Sequence, residues 1–184
     1  MLHPYDKEER PCRYAEGADI EIYDHINKSY VSITVKKMLG SGFFKTAYLA
    51  DMNGEEVVFK DPHASSDASG FAECFLFFSE KGLPCPELIA ADLSTGQTVC
   101  EKVTPLNYEE WDAQYPEMVL ISDLASTIGV EAGYLVQHEE DGVKGAVVPA
   151  ADSMFHTLVY QVTWDVKPEN YGMTESGRIV VLDL

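Results

Sequence analysis

Asp165-Val166-Lys167-Pro168-Glu169-Asn170, taken together with Asp183, is the stretch whose reading decides the fold. It sets a carboxylate, a cation and a carboxamide close together. An apolar run, Ile179-Val180-Val181-Leu182, then delivers a second carboxylate. Asp and Asn oxygens are hard ligands suited to Mg²⁺, and a lysine ammonium is suited to phosphate. Pro168 lacks an N–H and has a fixed φ, so the segment reads as an ordered loop and not a helix. Ser176-Gly177 lies between Tyr171-Gly172-Met173 and the run from Ile179, and marks a turn between two short strands.

Upstream, Tyr30 to Leu39 alternates β-branched and polar residues, as a strand does. It runs into Gly40-Ser41-Gly42-Phe43-Phe44-Lys45-Thr46-Ala47, where two glycines allow a tight bend and the close approach of a ligand. A lone G-x-G is a weak signal that a generic hairpin also explains. Asn53-Gly54 is a strong hairpin turn, and Glu56-Val57-Val58-Phe59-Lys60 is a third strand ending on a lysine. The order is therefore strand, Gly-rich turn, strand, turn, strand, lysine. A P-loop differs, because there the lysine follows the last glycine directly and opens a helix.

Together these motifs resemble the protein kinases, and the wording around Gly40 is similar to small serine/threonine kinases of T7-like bacteriophages. The resemblance implies an α+β fold: a five-stranded antiparallel N-lobe with one helix, and a reduced helical C-lobe. It implies an arm or cap over residues 1–30, the N-lobe over 31–103 and the C-lobe over 104–184. It assigns Gly40, Ser41, Gly42, Phe44 and Ala47 to a phosphate-covering loop. Lys60 would hold the phosphates of ATP and be oriented by Glu73. The backbone of Glu101 to Val103 would meet the adenine edge, with Cys100 behind it. Asn170 and Asp183 would bind Mg²⁺, Asp165 would take the acceptor's hydroxyl proton, and Lys167 would touch the transferred phosphate.

Glu73 belongs to a helix expected over Ser66–Lys81, capped by Ser65, Ser66 or Asp67 and stopped by Gly82 and Pro84. Phe71, Cys74, Phe75 and Phe78 recur at helical spacing, so one face is core. Read without the resemblance, Glu73 is an ordinary exposed residue. Pro86–Asp92 and Gln97–Val103 form another hairpin, turning at Ser94-Thr95-Gly96. Residues 107 to 137 mix helical signals: Tyr108–Tyr115, then Met118–Ile128, broken by Pro116 and Gly129. His138 to Gly142 reads as a solvated acidic loop, because it lacks the ligand spacing of an EF-hand. Ala151–Val162 reads as a helix leading into Asp165, and His156 on it as structural.

There are departures from the kinase pattern. Lys45 stands where the third glycine is usual, which stiffens the loop and puts a cation near the phosphates. Thr163-Trp164 replaces the usual His-Arg. Leu184 follows Asp183 without the usual glycine, so no activation segment is expected. Support for the catalytic loop would then come from residues 107–162, from the arm or from a second subunit.

The net charge of −18 over 184 residues disfavours a nucleic-acid or anionic membrane surface, since both demand clustered cations. A composition 46% hydrophobic argues for a folded globule. Cys12, Cys74, Cys85 and Cys100 form no C-x-x-C pair, so a zinc site is not expected, and Cys74 and Cys100 read as core residues. No secretory signal or membrane span is evident, which gives a cytoplasmic expectation. The expected activity is ATP- and Mg²⁺-dependent phosphorylation of Ser or Thr on host proteins or on the chain itself, possible as a homo-oligomer. Two alternatives stand beside it. One is a pseudokinase or acidic inhibitor that acts by binding a host protein. The other, weaker one is a small-molecule kinase.

Overall fold

The structure, a computed structural model, describes residues 13–42, 45–63, 69–109, 111–140, 143–149 and 166–182. Its larger sheet is built from β1 (Asp19–Asp24), β2 (Ser29–Ser41), β3 (Lys45–Met52), β4 (Glu55–Pro62), β5 (Leu88–Asp92) and β6 (Gln97–Glu101). The strand order is β1-β2-β3-β4-β6-β5, and every pairing is antiparallel. The fold is α+β, but this sheet has six strands, not five. The sixth, β1, has Ile20 and Ile22 buried while Asp19 and Glu21 face solvent. That alternation buys its place on the sheet, paired with β2 from Asp19↔Thr34 to Asp24↔Ser29.

The two outermost strands meet. The His25 N–H donates to the Ala91 carbonyl at 2.9 Å, and the Ala91 N–H donates to Asp24 Oδ1 at 3.2 Å. Asp24 is fully buried and also accepts from the Ile26 and Asn27 amides and from Asn27 Nδ2. The sheet is therefore rolled, with Ile22, Ile33, Val35, Tyr48, Val57, Phe59 and Val99 packed inside. Tyr14 packs its ring against Tyr48 and Phe59, and Arg13 pairs with buried Asp61.

Turn chemistry explains the connections. Asn53 (φ 57) and Gly54 (φ 90) are both left-handed, the two-residue turn expected between β3 and β4. Helix α1 (Ser69–Glu80) ends where expected. Gly82 is left-handed at φ 85, its N–H reaches the Ser79 carbonyl, and the Leu83 N–H reaches that of Phe78. The expected capping residues of this helix lie outside the described residues.

Beyond the rolled sheet, α2 (Trp111–Glu131) is one helix and not the two expected pieces. Pro116 sits inside its second turn, where a missing N–H costs one hydrogen bond. Burial of Met118, Ile121, Ala125 and Ile128 on one face outweighs that loss. The helix stops at Gly133 (φ 77), not at Gly129. Short strands β7 (Thr104–Pro105), β10 (Tyr171–Met173) and β11 (Ile179–Val181) form a second sheet in the order β11-β10-β7. A second core joins α1, α2 and this small sheet through Phe71, Phe75, Phe78, Met118, Ile121, Tyr171 and Ile179.

The region from His138, expected as a loop, is instead a hairpin of β8 (Leu135–Glu140) and β9 (Val143–Pro149). The helix expected over Ala151–Val162 lies outside the described residues. Among the described residues no helix is long and apolar enough to cross a membrane.

Candidate functional site

Strand alternation in β4 sends Val57 and Phe59 into the rolled sheet and leaves Val58 and Lys60 on the opposite face. Lys60 is buried there, paired across the ladder with Ala47. Its ammonium donates to the Leu182 carbonyl at 2.6 Å and lies 5.5 Å from the centre of the Phe75 ring. The Leu182 N–H donates in turn to the Asn170 carbonyl at 2.7 Å. A single residue, Leu182, thus ties the strand lysine to the loop segment through its N–H and its carbonyl, although Lys60 and Leu182 are 122 residues apart in sequence.

The loop segment is one 3₁₀ turn, Pro168–Asn170, with Pro168 buried and the Asn170 N–H held by the Lys167 carbonyl at 3.0 Å. β10 and β11 follow as an antiparallel pair with Gly177 (φ 81) in their turn, as the Ser176-Gly177 signal predicts. The Val181 N–H donates to the Pro84 carbonyl, which anchors β11 to the loop after α1. Asp165, Phe44 and Asp183 lie outside the described residues; Asp183 directly follows Leu182 in the chain.

The Gly-rich turn closes through Gly42 N–H to the Lys45 carbonyl at 2.9 Å, and Gly40 pairs with Ala47. Neither glycine is left-handed. A Cβ on Gly40 would meet nothing within 4 Å, and one on Gly42 only the Lys45 carbonyl at 3.8 Å. The fold therefore does not demand glycine at either position. What the glycines leave is room above the backbone, which suits the close approach of a ligand. Ser41 is held instead by Thr46, Oγ to Oγ1 at 3.0 Å, and Thr46 Oγ1 contacts His63 Nε2 at 3.0 Å. Thr46 and Asp61 pair on the rolled side of the sheet, so this cluster braces the turn from behind.

Val103 reaches the same region just ahead of β7 of the small sheet, and Glu101 is the last residue of β6. A Cβ added to Gly172 would stand 2.6 Å from Val103 Cγ1, 2.9 Å from the Thr104 carbonyl and 3.1 Å from Leu182 Cδ1. Gly172 is thus the contact point of the segments carrying Val103 and Leu182. The Glu101 N–H donates to the Glu87 carbonyl at 2.9 Å, and its carboxylate receives the Glu87 N–H and faces Arg178. Cys100 is buried behind, its Sγ 3.6 Å from the Val58 carbonyl. Burial pushes its thiol pKa up, against the opposing pull of Lys60 and Lys45.

Glu73 is exposed and makes no ion pair with Lys60. The reason is helical phase. At about 100° per residue, position 73 lies about 200° from position 75, whose ring faces the lysine. The expected lysine–glutamate pair is replaced by a lysine over an aromatic ring. Sequence reasoning took Phe71 and Phe75 as core and missed this second role. The spacing that marked them as inward also placed Glu73 outside the stripe. Lys45, the residue in the third glycine's place, also turns toward this helix, 5.5 Å from the Phe71 ring centre.

No family model matches the chain, and no curated protein matches it. Among solved structures it is similar to a point mutant of the Mycobacterium tuberculosis PknI kinase domain, with a TM-score of 0.45 and 15% identity. The alignment covers 94% of this chain and 63% of that one, so the chain spans less than two thirds of that kinase domain.

Proposed function

We propose that the chain is an ATP- and Mg²⁺-dependent phosphotransferase of protein kinase-like design, acting on Ser or Thr of a host protein or on itself. The observation that carries this reading is the Lys60–Leu182–Asn170 hydrogen-bond chain. It holds the strand lysine and the carboxamide segment around one residue, Leu182, and the metal-binding candidate Asp183 is the next residue. The donor set fits both groups. Gly40 and Gly42 leave open space over the turn, and Lys60 and Lys45 supply cations beside it. The Asn170 amide oxygen and a carboxylate at Asp183 are hard ligands suited to Mg²⁺.

Phosphoryl transfer needs positioning and charge neutralisation more than covalent chemistry from the protein. Lys60 holds the phosphates, and Val103 borders the adenine side. Asp165 receives the proton as the acceptor oxygen bonds to the γ-phosphorus, and the bond from that phosphorus to the β,γ-bridging oxygen breaks to release ADP. Lys167 steadies the phosphate in flight. Mg²⁺, when bound by Asn170 and Asp183, supplies charge neutralisation on the phosphates. The setting is the host cytoplasm, with self-association as the route to support the loop.

The test is incorporation of radiolabelled phosphate from ATP and Mg²⁺ into the chain or into host lysate. Wild type should label and Asp165→Ala should not; equal labelling by the two proteins would refute catalysis. A second reading, an acidic pseudokinase that acts by binding, is favoured by the exposed Glu73 and the −18 charge. It predicts nucleotide-independent capture of a host protein that Asp165→Ala leaves unchanged.

A further inference from the structure

Helix α2 buries one face and shows the other. Met118, Ile121, Ala125 and Ile128 are buried in the core shared with α1 and the small sheet. On the outward face stand two leucines one turn apart, Leu120 at 67% exposed and Leu124 at 39%. Surface neighbours on a helix lie three and four positions away. For Leu120 these are Pro116, Glu117, Asp123 and Leu124, and all four are exposed. Leu120 is therefore not the fringe of the buried stripe but stands within the solvent side. Exposed leucines scattered singly are ordinary, whereas adjacent ones inside a charged rim are the pattern of an interaction surface.

That rim has one sign. Asp112, Glu117, Asp123 and Glu131 are exposed along the same helix, which has no Lys or Arg. Between Lys102 and Lys144 the sequence holds nine acidic residues and no Lys or Arg, so both flanks of the helix share its sign. Among the described residues none of the four helix carboxylates forms an ion pair. The face thus has an apolar centre and a negative border.

This combination selects an occupant. Apolar side chains one turn apart form a ridge against which a second helix packs. A helix with leucine-like side chains on one stripe, bordered by Lys or Arg, matches both the ridge and the rim. A second copy of this chain does not supply one from its described helices, because α1 and α2 contain no Lys or Arg, and the net charge of −18 opposes self-pairing. The same charge repels nucleic acid and anionic membranes.

We infer that the outward face of α2, centred on Leu120 and Leu124, docks a basic amphipathic helix of another protein. The inference does not rest on the phosphotransferase reading. A helix held there is a docked substrate segment if the chain transfers phosphate, and the captured target if it acts by binding.

The probe is a fluorescein-labelled Leu–Lys peptide with a single leucine stripe, about five helical turns long. It is titrated against the full chain by fluorescence anisotropy. A scrambled Leu–Lys peptide and a patterned Leu–Glu peptide are the controls. Wild type should bind the patterned Leu–Lys peptide at least about tenfold more tightly than either control. Leu120→Ser should weaken that binding about tenfold, the loss of one buried anchor, and still melt with wild type. Glu117→Gln with Asp123→Asn should weaken it and flatten its dependence on salt. Ile26→Ser, at an exposed apolar position elsewhere, should leave it unchanged. Wild type that ignores the patterned peptide overturns the proposal. Equal binding of the scrambled peptide also does, since that marks bulk charge attraction, and so does equal binding of the Leu–Glu peptide. Leu120→Ser that binds like wild type overturns it as well. In ultracentrifugation, a wild-type dimer that Leu120→Ser abolishes would give the face to a second copy and refute the assignment to a basic partner. A measurement on the unsubstituted chain closes the loophole of misfolding. In carboxyl labelling read by mass spectrometry, the patterned peptide should protect Glu117 and Asp123, and failure to protect either overturns the proposal.

Discussion

Replacing Gly172 by alanine should unfold this protein more easily and loosen its nucleotide site in one step. The added carbon would lie 2.6 Å from Val103 Cγ1 and 2.9 Å from the Thr104 carbonyl oxygen. Comfortable separation between carbon atoms is about 3.5–4.0 Å, so the approach to Val103 is about 1 Å too close. Val103 can rotate only within a buried setting. The Thr104 carbonyl belongs to β7, which is held to β10 by the Gly172↔Pro105 and Met173↔Thr104 pairs. Relief therefore requires the two strands to part. Overpacking of this kind costs about 1–3 kcal/mol. At about 2–4 °C per kcal/mol for a chain of this size, the unfolding midpoint should fall by about 2–12 °C.

Two controls separate crowding from backbone strain. Gly177→Ala meets no atom within 4 Å but has φ at +81°, so its cost is strain alone, about 1–2 kcal/mol. Gly40→Ala has open space and an ordinary φ, and should leave the midpoint unchanged. Calorimetric or fluorescence melting of the three variants gives the order. Gly172→Ala should also weaken ATP binding, which Gly177→Ala should not, because it displaces both Val103 and Leu182, whose carbonyl holds Lys60. A Gly172→Ala protein that melts with wild type, or binds ATP equally well, would refute the argument that these segments share one contact point.

Asp24 and the cysteines give two further predictions. Burial alone would raise the Asp24 pKa, but hydrogen bonds from Ala91, Asn27 and Ile26 outweigh it and hold the carboxyl below its usual range. The folded pKa is thus depressed, and the stabilisation is full above the ordinary carboxylate pKa of about 3.9 and lost as pH falls through the folded value. Asp24→Ala should cost about 3 kcal/mol in denaturant titrations at pH 7, and the gap to wild type should narrow only below about pH 4; a gap constant down to pH 2 would count against the carboxylate as the clasp. Burial also pushes the thiols of Cys74 and Cys85 up to about 12. Neither should react with iodoacetamide at pH 8 until denaturant is added, and modification of the native protein at either position, read by mass spectrometry, would show that the α1 core opens.

Local rules carried much of this fold. Asn53-Gly54 and Gly82 could be read because a left-handed backbone position selects glycine or asparagine whatever surrounds it. The strands around Tyr171 and Ile179 could be read for the same reason, through Gly177. Where tertiary packing decides, sequence misled. Pro116 suggested a break, yet the buried face of α2 carries the helix through it. The place of β1 at the sheet edge depends on Asp24 meeting Ala91, 67 residues later. No local pattern encodes such a meeting. At the site, the structure brings together the segments that carry Lys60, Val103 and Asn170, a juxtaposition set by tertiary contacts. Glu73 is exposed because it lies off the buried stripe of α1, and helical phase, not position along the helix, decides which side chain faces β4. Lys45 was seen as a departure from pattern, but its direction depends on the β3–β4 register.

The clasp between β1 and β5 also bears on how the molecule lives among others. An unpaired outer strand is a template on which another chain can lay a strand of its own. The first half of β2, which carries exposed Tyr30, would be such a template were β1 not laid along it from Ser29 to Thr34. The first strand thus works as a stave that keeps the barrel from recruiting strangers, and a chain trimmed at residue 30 would lose that guard along with the stave.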